Sequence, residues 1–210
     1  MTKVLVIKIH LLFLTYQKTY VTYQELYDEL NYVNHSREKR AYYAQLVINT
    51  PELMPLVLEI LCKVDDPISN RAGWLLEFVC KTDITMLFPY LDVFTEKMHT
   101  VQQDSALRPV AKICEYLTLS YYKKKDTHTQ KHLNALHKER ISEAGFDWLI
   151  TDQKVAVKAY TLTTLFWLGT EIDWIHPELK RIMEDDYHKG SAAYKARCRH
   201  MFEALRKFRK

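Results

Sequence analysis

Glycine and proline are scarce in this chain, with 4 and 6 among its 210 residues. Sheets joined by tight turns need more of both, because glycine supplies left-handed turn conformations and proline fixes the turn backbone. The scarcity therefore favours helices with short connections over a β-rich fold. Apolar residues make up 48% and charged residues 27%, which excludes a disordered chain and is typical of a folded globular protein.

Cysteine is equally sparse, and its spacing excludes two kinds of small fold. The four cysteines lie far apart in the sequence and form no CxxC pair: Cys62, Cys80, Cys114 and Cys198. Neither a disulfide framework nor a cysteine zinc site fits that spacing. We expect four reduced, mostly buried thiols in a cytoplasmic protein.

The chain has no apolar run of membrane-spanning length. Its most apolar segment is the first, MTKVLVIKIHLLFLTYQK, and Lys8 and His10 interrupt it. No small-residue cleavage site follows Leu14, so a secretory signal is not expected. The sequence predicts no contact with a membrane and a buried first helix.

Catalytic and metal-binding motifs are missing as well. There is no GxSxG, no glycine-rich phosphate loop and no HExxH. His128 and His132 lie four residues apart, which on a helix places two imidazoles on one face, and His137 follows. Lysines crowd the same segment and would repel a metal ion: Lys123, Lys124, Lys125 and Lys131. We therefore expect no metal, no cofactor and no catalysis.

Helical signals recur along the rest of the chain. Apolar residues fall at spacings of three and four, and capping residues precede many of the apolar segments, as in the capping box from Thr22 to Glu25. Other cap candidates include Asp83, Asp104, Asp152 and Ser191. The patterns predict an all-α chain, with a kink or a break expected at Gly145. The predicted helices are 22–34, 36–49, 51–64, 67–81, 83–99, 104–122, 130–150, 152–168, 177–187 and 191–208.

A four-fold repeat emerges from these segments. RAGWLLEFV, RPVAKICEY, KAYTLTTLF and RCRHMFEAL begin at Arg71, Arg108, Lys158 and Arg197. Each has a cation, a small or ring-constrained residue soon after it, and mainly apolar residues four and five positions after the cation. The intervals between the cations are 37, 50 and 39 residues. A period of about 40 residues with two helices in each unit is typical of HEAT and armadillo repeats.

The chain also resembles a small family of uncharacterised bacterial proteins with a HEAT-like fold. The matching stretches are HSREKRAYYAQLV, ELMPLVLEIL, SNRAGWLLEFV, KVAVKAYTLTTLFWLGTEI, HPELKRIME and SAAYKARCRHMFEALRK. These stretches run from about residue 35 to the end, and the resemblance implies a right-handed α–α superhelix of about five helix pairs. It implies no particular activity. We expect a single domain, 1–210.

The four recurring cations have two interpretations. Stacked repeats would align Arg71, Arg108, Lys158 and Arg197 along one face, where with Trp74 they could bind phosphates or an acidic peptide. Alternatively, each cation pairs with an acid of its own or the neighbouring repeat, with Asp66, Asp104 and Asp152 as candidates. We favour the second interpretation and expect Arg71 to face an acid.

The charge distribution bears on the choice of partner. Residues 106–210 carry 20 Lys and Arg against 13 Asp and Glu, whereas residues 1–105 carry 10 against 13. The densest basic positions are Lys123, Lys124, Lys125, Arg206, Lys207 and Arg209. We expect a scaffold that binds an unknown protein partner or an acidic peptide. The alternative is a nucleic-acid-binding protein or a repair enzyme like the HEAT-like alkylpurine DNA glycosylases, which combine tryptophans with basic residues on a concave face.

Overall fold

The computed structural model describes residues 22–208, and in that range the chain is helical, with no β-strand. The prediction of an all-α chain is confirmed. Short 3₁₀ segments join several of the helices, and a π-helical turn, Leu119–Lys123, follows the sixth. The α-helices are α1 Tyr23–Glu29, α2 Arg37–Asn49, α3 Met54–Leu61, α4 Ile68–Thr82, α5 Leu91–Lys97, α6 Asp104–Thr118, α7 Thr127–His132, α8 Ala135–Ile150, α9 Val155–Leu168, α10 Ile175–Tyr187 and α11 Ala192–Lys207.

Several of the predicted helix caps are present. Thr22 forms the capping box with Glu25, and the side chain of Ser191 accepts from the backbone N–H of Tyr194 at 3.2 Å. Two predicted caps are wrong. Asp104 lies inside the first turn of α6, and α9 begins three residues after Asp152. An acid anywhere in the first turn of a helix interacts favourably with the partial positive charge at the helix N-terminus. A carboxylate in that turn therefore does not identify the capping position.

Two long predicted helices are divided in the structure. Segment 83–99 begins as a 3₁₀ helix, Ile84–Tyr90, which contains Pro89 and leads into α5. Segment 130–150 breaks at Leu133, and Asn134 then caps α8 by accepting from the His137 N–H. Gly145, where a kink was predicted, lies inside the continuous helix α8. Its bare backbone allows Leu165 and Thr161 of α9 to approach closely.

Five helices form a central row in which each packs on the next: α2, α4, α6, α9 and α11. Gly73 shows how closely two members of this row approach, since a Cβ there would lie 3.3 Å from the Cα of Ala106 on α6. The four recurring cations of the sequence fall on the last four of these helices in order. The remaining long helices pack against the row, α3 on α4 and both α8 and α10 on α9. A hydrophobic core cluster extends from Leu26 to Met201.

No single helix within residues 22–208 has both the length and the hydrophobicity needed to cross a bilayer. Arg37–Asn49 together with Pro51–Leu61 meets those two criteria, but the pair is bent by 106°. The apolar first segment of the sequence, for which a buried helix was predicted, lies outside the described residues.

Candidate functional site

Trp74 is the centre of a group of aromatic and charged side chains on the central row. Its indole N–H donates to the carbonyl oxygen of Ser105 on α6 at 2.9 Å. That carbonyl is free because Pro109, four residues later in α6, has no N–H to donate to it. The proline therefore leaves a carbonyl acceptor on α6 without a helical partner, and the indole N–H of Trp74, on α4, donates to it. The indole is held in one orientation and remains half-exposed.

Arg40 of α2 lies over the face of this indole, with its Cζ 4.5 Å from the ring centroid. Its Nε donates to the carbonyl oxygen of Asn34 at 2.9 Å, which fixes the side chain across the ring. Partial burial lowers the pKa of Arg40, and the nearby positive charge of Arg108 lowers it further. Arg40 forms no ion pair of 4.0 Å or less with any of residues 22–208. A cation stacked on tryptophan is a stable arrangement that still leaves N–H groups for a ligand.

Glu77 is the carboxylate of the group. It lies one turn after Trp74 on α4 and accepts from Arg108 Nη2 at 2.8 Å. The Glu77 side chain is 10% exposed and that of Arg108 is 31% exposed, so the pair is partly shielded from water. Glu77 thus pairs with Arg108, whereas Arg40 lies near this pair and forms no ion pair of its own within residues 22–208. We call Arg40, Trp74, Glu77 and Arg108 the Trp74 cluster, which carries a net charge of +1 from these four residues.

A second group continues along α6 to α9. Lys112, one turn after Arg108, forms an ion pair with Glu115, and its Nζ lies 4.2 Å from the ring centroid of Tyr160. The same ammonium lies 5.1 Å from the ring of Tyr116. Burial raises the pKa of Tyr116 to about 12, and the negative charge of Glu77 adds to the effect. The charge of Glu77 affects the pKa of both Arg40 and Tyr116, and Lys112 follows Arg108 on α6, so this group adjoins the Trp74 cluster. We call Lys112, Glu115, Tyr116 and Tyr160 the Tyr160 cluster.

Of the predicted site residues, the structure brings Trp74 and Arg108 together in the Trp74 cluster. Arg71, which was expected to face an acid, instead donates through Nη1 to the carbonyl oxygens of Asn31 and Val33. These carbonyls lie at the end of the short helical segment after α1, where cations satisfy acceptors that have no helical partner. The prediction of an acid partner for Arg71 is wrong.

Lys158 and Arg197 lie apart from the Trp74 cluster. Lys158 Nζ donates to the carbonyl oxygen of Leu149 at 2.7 Å and lies 3.7 Å from the carboxylate of Asp186. Its contacts therefore tie α9 to α8 and α10. Arg197 is half-buried on α11, and its side chain has no hydrogen bond or ion pair to any residue of the range 22–208.

The aspartates predicted as partners of the recurring cations contact other residues. Asp66 accepts from the Tyr27 hydroxyl at 2.7 Å and from the N–H of Ile68 at 3.0 Å. Asp104 lies 3.4 Å from the ammonium of Lys154, and both side chains are largely exposed. The cations that do pair with acids use residues of neighbouring helices, Glu77 for Arg108 and Asp186 for Lys158. A uniform ladder of these aspartates with the recurring cations is absent from the described range.

The predicted basic patch does not converge on the Trp74 cluster. Lys123 ends the π-helical turn, and it is exposed together with Lys124 and Lys125, of which Lys125 has a φ of 54°. At the other end of the chain, Lys207 pairs with Glu203 of its own helix at 2.6 Å, and Arg206 is exposed. Arg209 lies outside the described residues.

The histidines of the predicted polar segment contact protein groups. The Nδ1 of His132 lies 2.8 Å from the carbonyl oxygen of His128, and its ring stacks on Phe88. The Nε2 of His137 lies 2.8 Å from the carboxylate of Asp92. Among the residues that the structure describes, no three His, Cys, Asp or Glu side chains are grouped in a way that could hold a metal ion.

No protein-family model, curated protein or solved structure matches this chain.

Proposed function

We propose that the chain is a non-catalytic α–α superhelix of the HEAT type that binds an acidic segment of a partner protein. The consecutive packing of α2, α4, α6, α9 and α11 supports this repeat architecture, because stacked helix pairs contact mainly their neighbours. The central row would then supply the binding surface, with the Trp74 cluster on it. The four free cysteines agree with a cytoplasmic location, where thiols stay reduced.

The observation that carries the proposal is the charge imbalance of the Trp74 cluster. Glu77 supplies a carboxylate to Arg108, whereas Arg40, whose charge lies near both, has no ion pair within residues 22–208, and the site is partly shielded from solvent. A carboxylate from a partner would balance the second guanidinium, and arginine binds carboxylates through two parallel hydrogen bonds. The adjoining ring of Trp74 is partly buried, with Arg40 and His35 packed against it, and the part that stays exposed offers an apolar contact for the neighbouring side chain of the partner.

The mixed charge of the surrounding surface favours a protein segment over a nucleic-acid backbone. Arg108, Lys112 and Lys158 each have a carboxylate within 4.0 Å. Phosphate tracking requires a continuous run of cations whose charges are available to the strand. A peptide needs only isolated charges among apolar contacts, which is the pattern around Trp74.

Two synthetic peptides test the proposal, one of alternating glutamate and leucine and one of alternating lysine and leucine, both labelled with fluorescein. Fluorescence anisotropy should show binding of the glutamate peptide. In the protein labelled with ¹⁵N, that peptide should shift the indole N–H signal of Trp74. Arg40→Gln should weaken the binding about tenfold, since it removes a charged hydrogen-bond donor.

The matched control is Arg37→Gln, which removes the same charge from an exposed position on the same helix. It should leave the affinity within about twofold of the parent protein, because exposed charges at the edge of a site contribute little. Equal losses for Arg37→Gln and Arg40→Gln would mean that only net charge matters. That result, or no binding of the glutamate peptide, would contradict the proposal.

Nucleic-acid binding is the second candidate, and the alternation of cations with aromatic rings favours it. Arg40 with Trp74 and Lys112 with Tyr160 are arrangements on which bases of a single strand can stack. This second candidate includes a DNA-repair enzyme of the alkylpurine glycosylase type. An electrophoretic mobility shift with duplex and single-stranded DNA, at low and at raised salt, decides the matter. Binding that weakens steeply with salt would support this candidate, and no shift at low salt would eliminate it.

A further inference from the structure

An open groove of about 800 Å³ lies between α8 and α10, away from the Trp74 cluster. We call it the Trp174 groove. Its lining residues are Glu143, Phe146, Asp147, Ile150, Trp174, Pro177, Glu178, Arg181 and Ile182. None of them belongs to the Trp74 or the Tyr160 cluster, and the sequence patterns pointed to none of them as a binding residue.

The groove contains the two most exposed of the large apolar side chains within residues 22–208. Trp174 is 54% exposed and Ile150 is 64% exposed. The indole of Trp174 stacks on the ring of Phe146, with the centroids 5.2 Å apart, so one aromatic face is supported from below. Single exposed apolar residues are ordinary, but an exposed tryptophan and isoleucine lining one concavity are typical of a contact surface.

The charge around this apolar floor has one prevailing sign. Glu143 and Asp147 lie one helical turn apart on α8, and both are exposed. Neither has a cation within 4.0 Å among residues 22–208. The single cation of the lining, Arg181, is already held by Glu178 at 3.0 Å and by Asp185 at 3.2 Å. The positive charge of Arg181 is therefore compensated. The carboxylates of Glu143 and Asp147 are not, and they make the electrostatic potential at the groove negative.

We propose that the Trp174 groove binds a basic segment of a second partner protein. A bulky apolar side chain of that segment packs against Trp174 and Ile150, and lysine or arginine side chains beside it pair with Glu143 and Asp147. The choice of a basic partner follows from charge complementarity, since an acidic segment would meet uncompensated carboxylates. This proposal is independent of the function proposed above, and the two surfaces select partners of opposite charge.

The lysine–leucine peptide is the probe for this groove, and the four tryptophan indole signals locate where it binds. It should shift the N–H signal of Trp174 and leave that of Trp74 in place. The glutamate–leucine peptide should leave the Trp174 signal unchanged. Loss of the response at Trp74 with the glutamate peptide would affect only the function proposed above, so failure of either proposal is seen separately.

Variants test the two parts of the groove with matched controls. Glu143→Lys should weaken binding of the lysine–leucine peptide about tenfold, whereas Glu59→Lys, at an exposed position of α3, should leave it nearly unchanged. Trp174→Ser should weaken it by a similar factor of about ten, and Tyr32→Ser, which also removes an exposed aromatic ring, should not. Thermal unfolding of each variant shows whether the fold is retained.

Three results would overturn the assignment. The first is an equal loss of binding in Glu59→Lys and Glu143→Lys, which would mean a response to net charge alone. The second is absence of a Trp174 shift with the lysine–leucine peptide. The third is a dimer in sedimentation that dissociates on Trp174→Ser, which would show that the groove is covered by a second copy of the chain.

Discussion

The indole N–H of Trp74 donates to the carbonyl oxygen of Ser105, the acceptor that Pro109 leaves without a helical partner. This bond joins α4 to α6 through one of the surface residues of the Trp74 cluster. It explains how a half-exposed tryptophan can be held still beneath the guanidinium of Arg40. The proline and the tryptophan are therefore coupled, although they lie on different helices.

A double-mutant cycle measures this coupling. Trp74→Phe removes the indole donor and should lower the free energy of unfolding by about 1 kcal/mol beyond the loss of ring area, because the carbonyl of Ser105 is left to solvent. Pro109→Ala restores an N–H that can reach the same carbonyl within α6. In the Pro109→Ala background, Trp74→Phe should therefore cost less, with a coupling of about 1 kcal/mol in urea denaturation. Equal costs in the two backgrounds would mean that the bond does not depend on the proline.

The residue spacings of the sequence predicted that the chain is helical, and they did not predict the contacts between the helices. Spacings of three and four identify the helices, so Arg71, Arg108, Lys158 and Arg197 were each placed on a separate helix, as the structure has them. Their partners depend on the rotation of each helix about its axis, which single-sequence patterns leave open. Glu77 could have been found, since it lies three residues after Trp74 and so on the same face of α4.

Arg40 was missed for a different reason. It belongs to REKR, a charged start to α2, and such segments are usually solvated. Only the packing of α2 on α4 brings its guanidinium over Trp74. The acceptor at Ser105 has a local signal, because any proline inside a predicted helix frees the carbonyl four residues earlier. The residue that fills such an acceptor comes from elsewhere in the chain and requires the fold.

Two helix glycines, one at the contact of α4 with α6 and one at the contact of α8 with α9, should respond differently to substitution by alanine. Gly73→Ala places a Cβ 3.3 Å from the Cα of Ala106, a backbone atom that cannot move aside. The gain in helix propensity, about 1 kcal/mol, should be outweighed, and the free energy of unfolding should fall by about 1 kcal/mol net. Gly145→Ala meets mainly the side chain of Leu165, which can shift. It should be neutral or slightly stabilising in the same urea titration, and a larger loss than that of Gly73→Ala would contradict this comparison.

The four cysteines should react in an order set by burial. Burial raises the pKa of the Cys114 thiol to about 12 and also raises that of Cys80, so neither forms much of the reactive thiolate. Burial raises the pKa of Cys62 as well, but Cys62 is the one thiol of the four that is only partly buried, so we expect it to be the first labelled by iodoacetamide in the native protein. Mass spectrometry of the digested protein identifies the site. Cys62→Ser should remove the fast phase, and a fast phase that persists in that variant would contradict the assignment.

Glu171 should contribute a pH dependence to stability. Burial raises its pKa, but hydrogen bonds from Lys138 and the Tyr122 hydroxyl outweigh that effect and hold the pKa below the ordinary value of 4.5. A carboxylate with a lowered pKa stabilises the fold at neutral pH, and the contribution is lost as the pH falls through the lowered value. Its partner Lys138 is buried, with only 5% of the side chain exposed, so removal of the negative charge leaves an ammonium poorly compensated.

Glu171→Gln should therefore lower the free energy of unfolding at neutral pH by about 1 kcal/mol, a modest figure because the Glu171 side chain is 48% exposed. The difference from the parent protein should shrink as urea titrations are repeated at pH values progressively below 4.5. Glu139→Gln is the control, since Glu139 is exposed on α8 and has no ion pair within residues 22–208. It should show a difference near zero at every pH. A loss for Glu171→Gln that stays constant from neutral to acid pH would mean that the carboxylate acts through its shape and packing instead of its charge.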